Sequence, residues 1–273
     1  MEATYRKQLD EYLEKIDSVI ENGRYKDNWE SLSAYPVPTW YKNAKFGVFL
    51  HWGVYSVPAY YSEWYPRLMY YQGNPVYWHH KKKYGKDFNY RDFVPMFKAE
   101  KFDAEKWVSI LKSAGAKYIM PVGEHHDGYK MYDSDLSRWT SVKQAPHCDF
   151  LGELRKECDK QGVTFATSTH RAEHFWFLNG GRTVGYDNEV LDEKYRDFYG
   201  PAHNIHKINN LHNFLKQEHG ITPTKEWLED WLVNSCELID KYHPETLFFD
   251  WWVMNYAFRP YMKKFLAYYY NRS

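Results

Sequence analysis

The chain has 273 residues, enough for one large domain or two small ones, and Lys+Arg and Asp+Glu each total 36. The zero formal net charge argues against a nucleic-acid partner, and the densest basic run, Lys81–Lys83, is interpreted as a solvated turn. Cys148, Cys158 and Cys236 lack metal-ligand spacing and are predicted to be free thiols. Aromatic residues form 20% of the chain, so a few rings are available to line a site even if most are core.

The N-terminal segment is predicted to form a helix outside the rhythm of the main domain. Apolar residues recur at helical spacing from about residue 5 to residue 20, and Gly23 ends the pattern. The segment is charged throughout and does not read as a signal peptide, and no apolar run is long enough to span a membrane, which leaves the compartment open. We predict a helix and lead-in over residues 1–39 and the main domain over residues 40–273.

From residue 45 onward, apolar strand patterns alternate with helix patterns. Strands are predicted over 45–51, 117–122, 163–168 and 246–250. Helices are predicted over 103–114, 149–160, 225–242 and 256–270, and the stretch from about 179 to 210 is interpreted as a loop. This alternation indicates an α/β fold with a parallel sheet. No glycine-rich phosphate loop follows a strand, so about half of a (β/α)8 TIM barrel is favoured over a nucleotide-binding sheet.

The first two predicted strands end in histidines. His51 precedes Trp52, so its imidazole is suited to bond a hydroxyl while the indole stacks; a buried histidine with one backbone partner is the alternative. His125 and His126 are adjacent, and both reach one ligand only if the chain turns, as the Asp-Gly pair after them indicates. A metal site formed by these two histidines and Asp127 remains open, although zinc ligands usually have wider spacing.

The third and fourth strands end in further candidates. His170 opens a run of charged and aromatic residues for which ligand binding and an internal ion pair or loop cap are equally open. Asp250 closes an apolar strand and is flanked by aromatic residues that include Trp252. One interpretation of this aspartate is a helix N-cap. The other is an ionised glycosidase nucleophile beneath a sugar ring.

Three ordered blocks resemble the signature sequences of the α-L-fucosidases of glycoside hydrolase family 29. They are Ala44–Tyr65, Glu124–Ser134 and Glu237–Asp250, and the resemblance runs from about Trp40 to the chain end. It implies that residues 40–273 form the first part of a catalytic barrel. It also implies a retaining hydrolase that removes terminal α-L-fucose from fucosylated oligosaccharides or glycoproteins, through a covalent glycosyl-enzyme on Asp250 and without a cofactor or metal.

The resemblance further implies a set of sugar contacts. The expected contacts are His51, Glu63, Trp64, His125 and His126, to which position adds His170 and the aromatic wall adds Trp252. Two departures from the family pattern stand out. Trp251 occupies a position that is often glycine and is expected to narrow the cleft, and the segment 169–174 replaces a common Tyr-Tyr-Ser strand end.

A retaining mechanism also needs an acid/base carboxyl group about 5–5.5 Å from the nucleophile. In the family this group lies well downstream of the nucleophile, and the candidates within this chain are Glu63, Glu124 and Glu173. We expect the acid/base beyond Ser273, so that the chain alone lacks turnover. The alternatives are an inactive fucose-binding pseudo-enzyme and a metal-dependent hydrolase that uses His125, His126 and Asp127.

Overall fold

The computed structural model describes residues 3–182, 188–204 and 222–272. Its centre is a parallel sheet. Within the described ranges the strands are β1 (Gly47–Leu50), β2 (Tyr118–Glu124), β3 (Thr164–Phe165), β4 (Thr167–Thr169) and β5 (Leu247–Phe249). β1, β2, β4 and β5 lie side by side in that order, β3 also pairs with β2, and each pair is parallel. The predicted α/β class and parallel sheet are confirmed.

The third predicted strand is divided into β3 and β4 instead of running unbroken. Ala166 separates the two pieces, and its N–H donates to the Ile119 carbonyl at 2.9 Å. The register between β2 and β4 also shifts between Val122 and Glu124. This irregularity allows β4 to pair with β5 on its other side, which brings the ends of β2, β4 and β5 to one edge of the sheet.

Helices connect and cover the strands. They are α1 (Ala3–Asn22), α2 (Trp29–Leu32), α3 (Thr39–Ala44), α4 (Tyr65–Leu68), α5 (Pro75–Tyr84), α6 (Ala104–Ser113), α7 (Phe150–Gln161), α8 (Arg171–His174), α9 (Arg196–Tyr199), α10 (Lys225–Tyr242) and α11 (Arg259–Arg272). The side chains of Asp103, Asp149 and Thr224 accept first-turn N–H groups of α6, α7 and α10, which explains where these predicted helices begin.

Three sequence predictions need correction. Lys81–Lys83 forms the last turn of α5 because Asn74 caps a proline-initiated helix that the sequence analysis missed. The helix predicted from residue 256 begins at Arg259, after a separate 3-10 turn over Tyr256–Phe258 that is capped by Asn255. The predicted loop contains 3-10 turns and α9 in its described part. Residues 183–187 and 205–210 of that stretch lie outside the described residues.

The predicted N-terminal helix packs on the main domain. Leu9, Ile16 and Ile20 of α1 are buried against α10 and α11 and belong to the main hydrophobic core. A second core cluster lies beneath α6 and α7. The three cysteines are free, as predicted. None of the described helices is long and apolar enough to cross a membrane.

Candidate active site

Four histidines and an aspartate meet at the carboxyl edge of the sheet. His51 follows β1, His125 and His126 follow β2, His170 follows β4, and Asp250 follows β5. We call the four histidines the histidine cluster. The ring centroid of His51 lies 5.6 Å from that of His125 and 5.5 Å from that of His170, and the last two are 4.8 Å apart. The strand order therefore brings together the polar residues that the sequence analysis singled out, as the parallel arrangement requires.

Asp250 is held by hydrogen bonds on both carboxylate oxygens. Its Oδ2 lies 3.0 Å from His126 Nε2 and 3.2 Å from His170 Nδ1, and its Oδ1 accepts the Trp251 backbone N–H at 2.9 Å. Burial acts to raise the pKa of Asp250, but the two imidazoles hold it well below its ordinary value. The carboxylate is thus ionised, and its side chain keeps 25% of its surface exposed. The contact with Trp251 also makes Asp250 the N-cap of a 3-10 turn, as one interpretation of this residue predicted, while its role as a nucleophile stays a prediction.

The turn that follows β2 lets two adjacent histidines share one side. Gly128 donates its N–H to the His125 carbonyl at 3.1 Å and has a φ of +81°, which a side chain would strain. A Cβ at this glycine would also lie 2.5 Å from the His174 ring. The rings of His125 and His126 are consequently 4.3 Å apart.

Both of these histidines are neutral. Burial lowers the pKa of His126 to about 4 and that of His125 well below its ordinary value. The Nδ1 atoms of both rings are buried and have no hydrogen-bond partner among the described residues. Such free nitrogens are expected at a site whose ligand is not bound.

His51 forms the exposed side of the histidine cluster, and Glu63 and Trp64 lie beside the cluster. His51 is its most exposed member; burial and the neighbouring His170 lower its pKa, while the charge of Glu63 acts in the opposite direction. The half-buried Trp64 ring meets His126 edge-on, with centroids 5.7 Å apart. The predicted role of these three residues as sugar contacts stays a prediction.

Two tryptophans do not face the cluster as the sequence analysis expected. The Trp52 ring packs 4.9 Å from Phe150 and 5.1 Å from Phe97 in the core, so it does not stack beside a ligand of His51. Trp252, predicted to contact sugar, is fully buried and packs 5.6 Å from Phe258. The turn after Asp250 directs this ring into the core, behind the site, which does not favour the predicted contact with sugar.

Asp127 does not join a metal site with the adjacent histidines. Its Oδ2 accepts the Tyr90 hydroxyl at 2.5 Å and its Oδ1 accepts the Tyr129 N–H at 3.2 Å. Burial raises its pKa to about 7. In the described part of the chain, the groups whose ligand atoms lie within 4.8 Å of one another are instead His51, His125 and His170, and His126, His170 and Asp250.

Two residues of the site escaped the list of predicted contacts. Glu173 is fully buried; its Oε1 accepts the Trp252 N–H at 3.0 Å, and its Oε2 lies 3.9 Å from His126 Nε2 without a hydrogen-bond partner among the described residues. Burial, and then the charge of Asp250, raise its pKa to about 8. The ring of Tyr55 lies 4.9 Å from that of His125. The sequence signal that could have identified Tyr55 is its position four residues after His51, within the first block that resembles the family, Ala44–Tyr65.

Next to the cluster lies a set of charged and polar side chains that we call the ionic network: Glu124, Lys130, Arg171, Asp230 and Asn234. Arg171 donates to Glu124 at 2.6 Å and to Asp230 at 2.5 Å. Lys130 donates to the other Glu124 oxygen at 3.0 Å and to Asn234 at 2.6 Å. Although burial acts to raise the pKa of Glu124, Arg171 and Lys130 hold it below its ordinary value. The network joins the ends of β2 and β4, directly beside the histidines.

Comparison with known proteins assigns the family. The alpha-L-fucosidase family model matches residues 12–273. The chain belongs to the alpha-L-fucosidase family. Its relatives include an alpha-L-fucosidase of Branchiostoma floridae, 32% identical over 255 residues, or 92% of this chain and 49% of that protein. The tissue alpha-L-fucosidase of Bos taurus is 41% identical over 183 residues. The match covers 63% of the present chain and 39% of the bovine protein.

The fold comparison agrees. The alpha-fucosidase of Thermotoga maritima, solved in complex with fucose, is 30% identical with a TM-score of 0.70, and the match covers 91% of this chain and 54% of that one. The same protein was also solved with a mechanism-based inhibitor, at 31% identity. The predicted barrel-type fold of this alpha-L-fucosidase family member is therefore confirmed over about half the length of the solved structure. The chain likewise spans about half, or less, of the curated relatives named above.

Proposed function

We propose that this chain carries the nucleophile of a retaining α-L-fucoside hydrolase, and that Asp250 is that nucleophile. The observation that carries the proposal is the pair of imidazole contacts on Asp250 Oδ2, at 3.0 and 3.2 Å. They keep the carboxylate ionised and fix its orientation, while part of its surface stays open. Attack by Asp250 on the anomeric carbon then gives a covalent glycosyl-enzyme, which water hydrolyses.

The sugar-binding part of the proposal rests on neutral imidazoles around that carboxylate. The lone pair or N–H of a neutral ring is suited to a sugar hydroxyl, which both donates and accepts a hydrogen bond. The ring of His51 lies 5.6 Å from that of His125, the charge of Glu63 acts on His51, and the ring of Trp64 contacts that of His126. The fucose complex of the Thermotoga maritima relative supports fucose as the sugar class. A terminal α-L-fucosyl group on an oligosaccharide or glycoprotein is the substrate we propose.

The acid/base requires a different carboxyl group from the buried glutamates. Glu124 is ion-paired to Arg171 and Lys130, which removes its acidic proton at neutral pH. Glu173 has a raised pKa but no exposed surface, and its Oε1 is occupied by a backbone N–H. We therefore propose that neither of these two buried glutamates is the acid/base, and that turnover on unactivated fucosides requires another carboxyl group.

The proposal is tested with a mechanism-based fluorinated fucosyl fluoride. Fluoride leaves without protonation, so labelling of the nucleophile does not require the acid/base. Mass spectrometry of the intact chain and of its peptides should locate one fucosyl adduct on Asp250. The variant Asp250→Asn should not be labelled, whereas the exposed control Asp135→Asn should label like the wild type. An adduct on another residue would refute the assignment of Asp250. Fucose binding without any adduct would identify a sugar-binding pseudo-enzyme.

A further inference from the structure

The atoms that hold Asp250 form a small triangle. His126 Nε2 lies 3.0 Å and His170 Nδ1 3.2 Å from Asp250 Oδ2, and the two nitrogens are 3.3 Å apart. A tetrahedral Zn²⁺ ion with bonds of about 2.0–2.2 Å separates neighbouring ligand atoms by roughly 3.3–3.5 Å. The triangle therefore already has nearly the dimensions of one face of a zinc coordination tetrahedron.

Glu173 lies next to the triangle but outside it. Its Oε2 is buried, has no hydrogen-bond partner among the described residues, and lies 3.9 Å from His126 Nε2. The compact group is limited to His126, His170 and Asp250. A water molecule is therefore expected to complete the tetrahedron of a bound ion, as at zinc sites with three protein ligands.

From this geometry we propose that His126, His170 and Asp250, with a water molecule as the fourth ligand, form a binding site for a divalent transition-metal ion of the Zn²⁺ type. Binding occupies the carboxylate oxygen and so blocks attack by Asp250, which makes the ion a reversible inhibitor and not a cofactor. The metal site itself is argued from geometry alone, whereas the inhibition rests on the proposed role of Asp250 as nucleophile.

The two rings present the nitrogen atoms that a Zn²⁺ ion requires. His126 Nε2 and His170 Nδ1 are the atoms within hydrogen-bonding distance of Asp250 Oδ2. An ion that binds these two nitrogens in place of hydrogen leaves each coordinated ring with its proton on the other nitrogen. For His170 this nitrogen is Nε2, which lies 3.3 Å from Ser168 Oγ and so has an acceptor ready.

The second compact group, His51, His125 and His170, fits a metal less well. Its ligand atoms lie within 4.8 Å of one another, but the pairs that define the first triangle are 3.0–3.3 Å apart. The wider group requires larger movements of its rings to reach ligand separations of about 3.3 Å. His51 and His125 therefore remain available to sugar hydroxyls, and the ion is assigned to the triangle around Asp250.

The test titrates the metal-free chain with Zn²⁺ by calorimetry and with Co²⁺ by visible absorption, which reports four-coordinate binding directly. The wild type should bind one ion per chain. His170→Ala and Asp250→Asn should abolish stoichiometric binding, and Ser168→Ala should weaken it by roughly 10–100-fold. The control His147→Gln removes an exposed histidine outside the cluster and should bind like the wild type.

Circular dichroism and thermal melting establish that each variant is folded; should His170→Ala not fold, Asp250→Asn carries the test because its side chain is partly exposed. No binding by the wild type would overturn the proposal. Equal binding by the wild type and Asp250→Asn, or an equal loss in His147→Gln, would also overturn it. The labelling experiment on Asp250 is run with EDTA present, so either proposal fails without affecting the other.

Discussion

The histidine cluster and the ionic network both include residues at the ends of β2 and β4. They differ in how their polar groups are satisfied. In the network Glu124 accepts from Arg171 and Lys130, and Asn234 accepts from Lys130. In the cluster the Nδ1 atoms of His125 and His126 have no partner among the described residues. Burial without a partner costs free energy, so we expect a ligand to satisfy these nitrogen atoms.

The chain order shows how closely the two regions are coupled. Glu124 immediately precedes His125, and Arg171 immediately follows His170. The salt bridge between Glu124 and Arg171, with N···O 2.6 Å, therefore fixes the ends of β2 and β4 just where the histidines begin. The network thus acts as the rigid support for the cluster, and changes in the two regions should have separable effects.

The largest expected effect is on chemistry, at the open end of the cluster. Asp250→Asn keeps the size of the side chain but removes the nucleophilic charge, so hydrolysis should fall by several orders of magnitude, at least about 10³-fold. The measurement compares fluoride release from α-L-fucosyl fluoride by the wild type and by the variant. Thermal melting verifies that both are folded. Turnover of Asp250→Asn close to that of the wild type would show that the charge on Asp250 is not required.

The second effect is on stability, in the network. Arg171→Met removes the guanidinium that pairs with the buried carboxylates of both Glu124 and Asp230, which should lower the free energy of unfolding by about 3–5 kcal/mol. Urea denaturation measures the loss. Arg138→Met is the matched control, since its pair with Asp197 is exposed and should contribute less than about 1 kcal/mol. Similar losses in both variants would show that the buried network has no special structural role.

The sequence predicts one of these regions much better than the other. His51, His170 and Asp250 were found because residues at the ends of parallel strands must meet at one edge, whatever the details of packing. For the ionic network, the sequence left open only an internal ion pair in the run after His170. Its members Asp230 and Asn234 were not found, because they come from α10 and no sequence spacing indicates which helix face turns toward a strand end. Glu173 was named only as a possible acid, since its burial depends on the short helix α8.

Side-chain direction after a strand end was also beyond the sequence. Trp52 and Trp252 each follow a site residue by one or two positions, yet both rings enter the core. Alternation predicts direction only while the strand continues, and both residues lie beyond the last strand residue. The aromatic wall expected around Asp250 is therefore partly a set of core residues that hold the strand end from behind.

The third effect is on binding, within the cluster. His51→Ala and His125→Ala each remove a proposed hydroxyl contact, so fucose affinity should weaken by about 1–3 kcal/mol, or roughly 5–150-fold. Calorimetric titration with fucose measures this loss. Because the proposed sugar contacts need no metal, EDTA should leave fucose affinity unchanged. A loss of affinity on chelation that zinc restores would show that a metal, and not these imidazoles alone, binds the sugar.

A third type of histidine sharpens the comparison. His80 is as buried as His125 and His126, but both of its ring nitrogens have hydrogen-bond partners. The Tyr65 hydroxyl lies 2.8 Å from Nδ1, and Nε2 donates to the Phe88 carbonyl at 2.8 Å. Burial lowers its pKa to about 4. It therefore shares the lowered pKa of His125 and His126 but has no free nitrogen, which identifies it as a structural residue.

The smallest expected effect is the pH dependence that His80 contributes. Its native pKa of about 4 lies below the unfolded value of roughly 6.5, so the unfolded state binds a proton first as the pH falls. Stability is then lost below pH 6.5, by at most about 1.4 kcal/mol per pH unit. His80→Gln retains a donor and an acceptor but does not titrate. Urea unfolding at pH 7 and pH 5 should therefore show a loss that is about 1–2 kcal/mol smaller in the variant. The same loss in both proteins would mean that His80 is protonated in the folded state, and that its two hydrogen bonds do not hold it neutral.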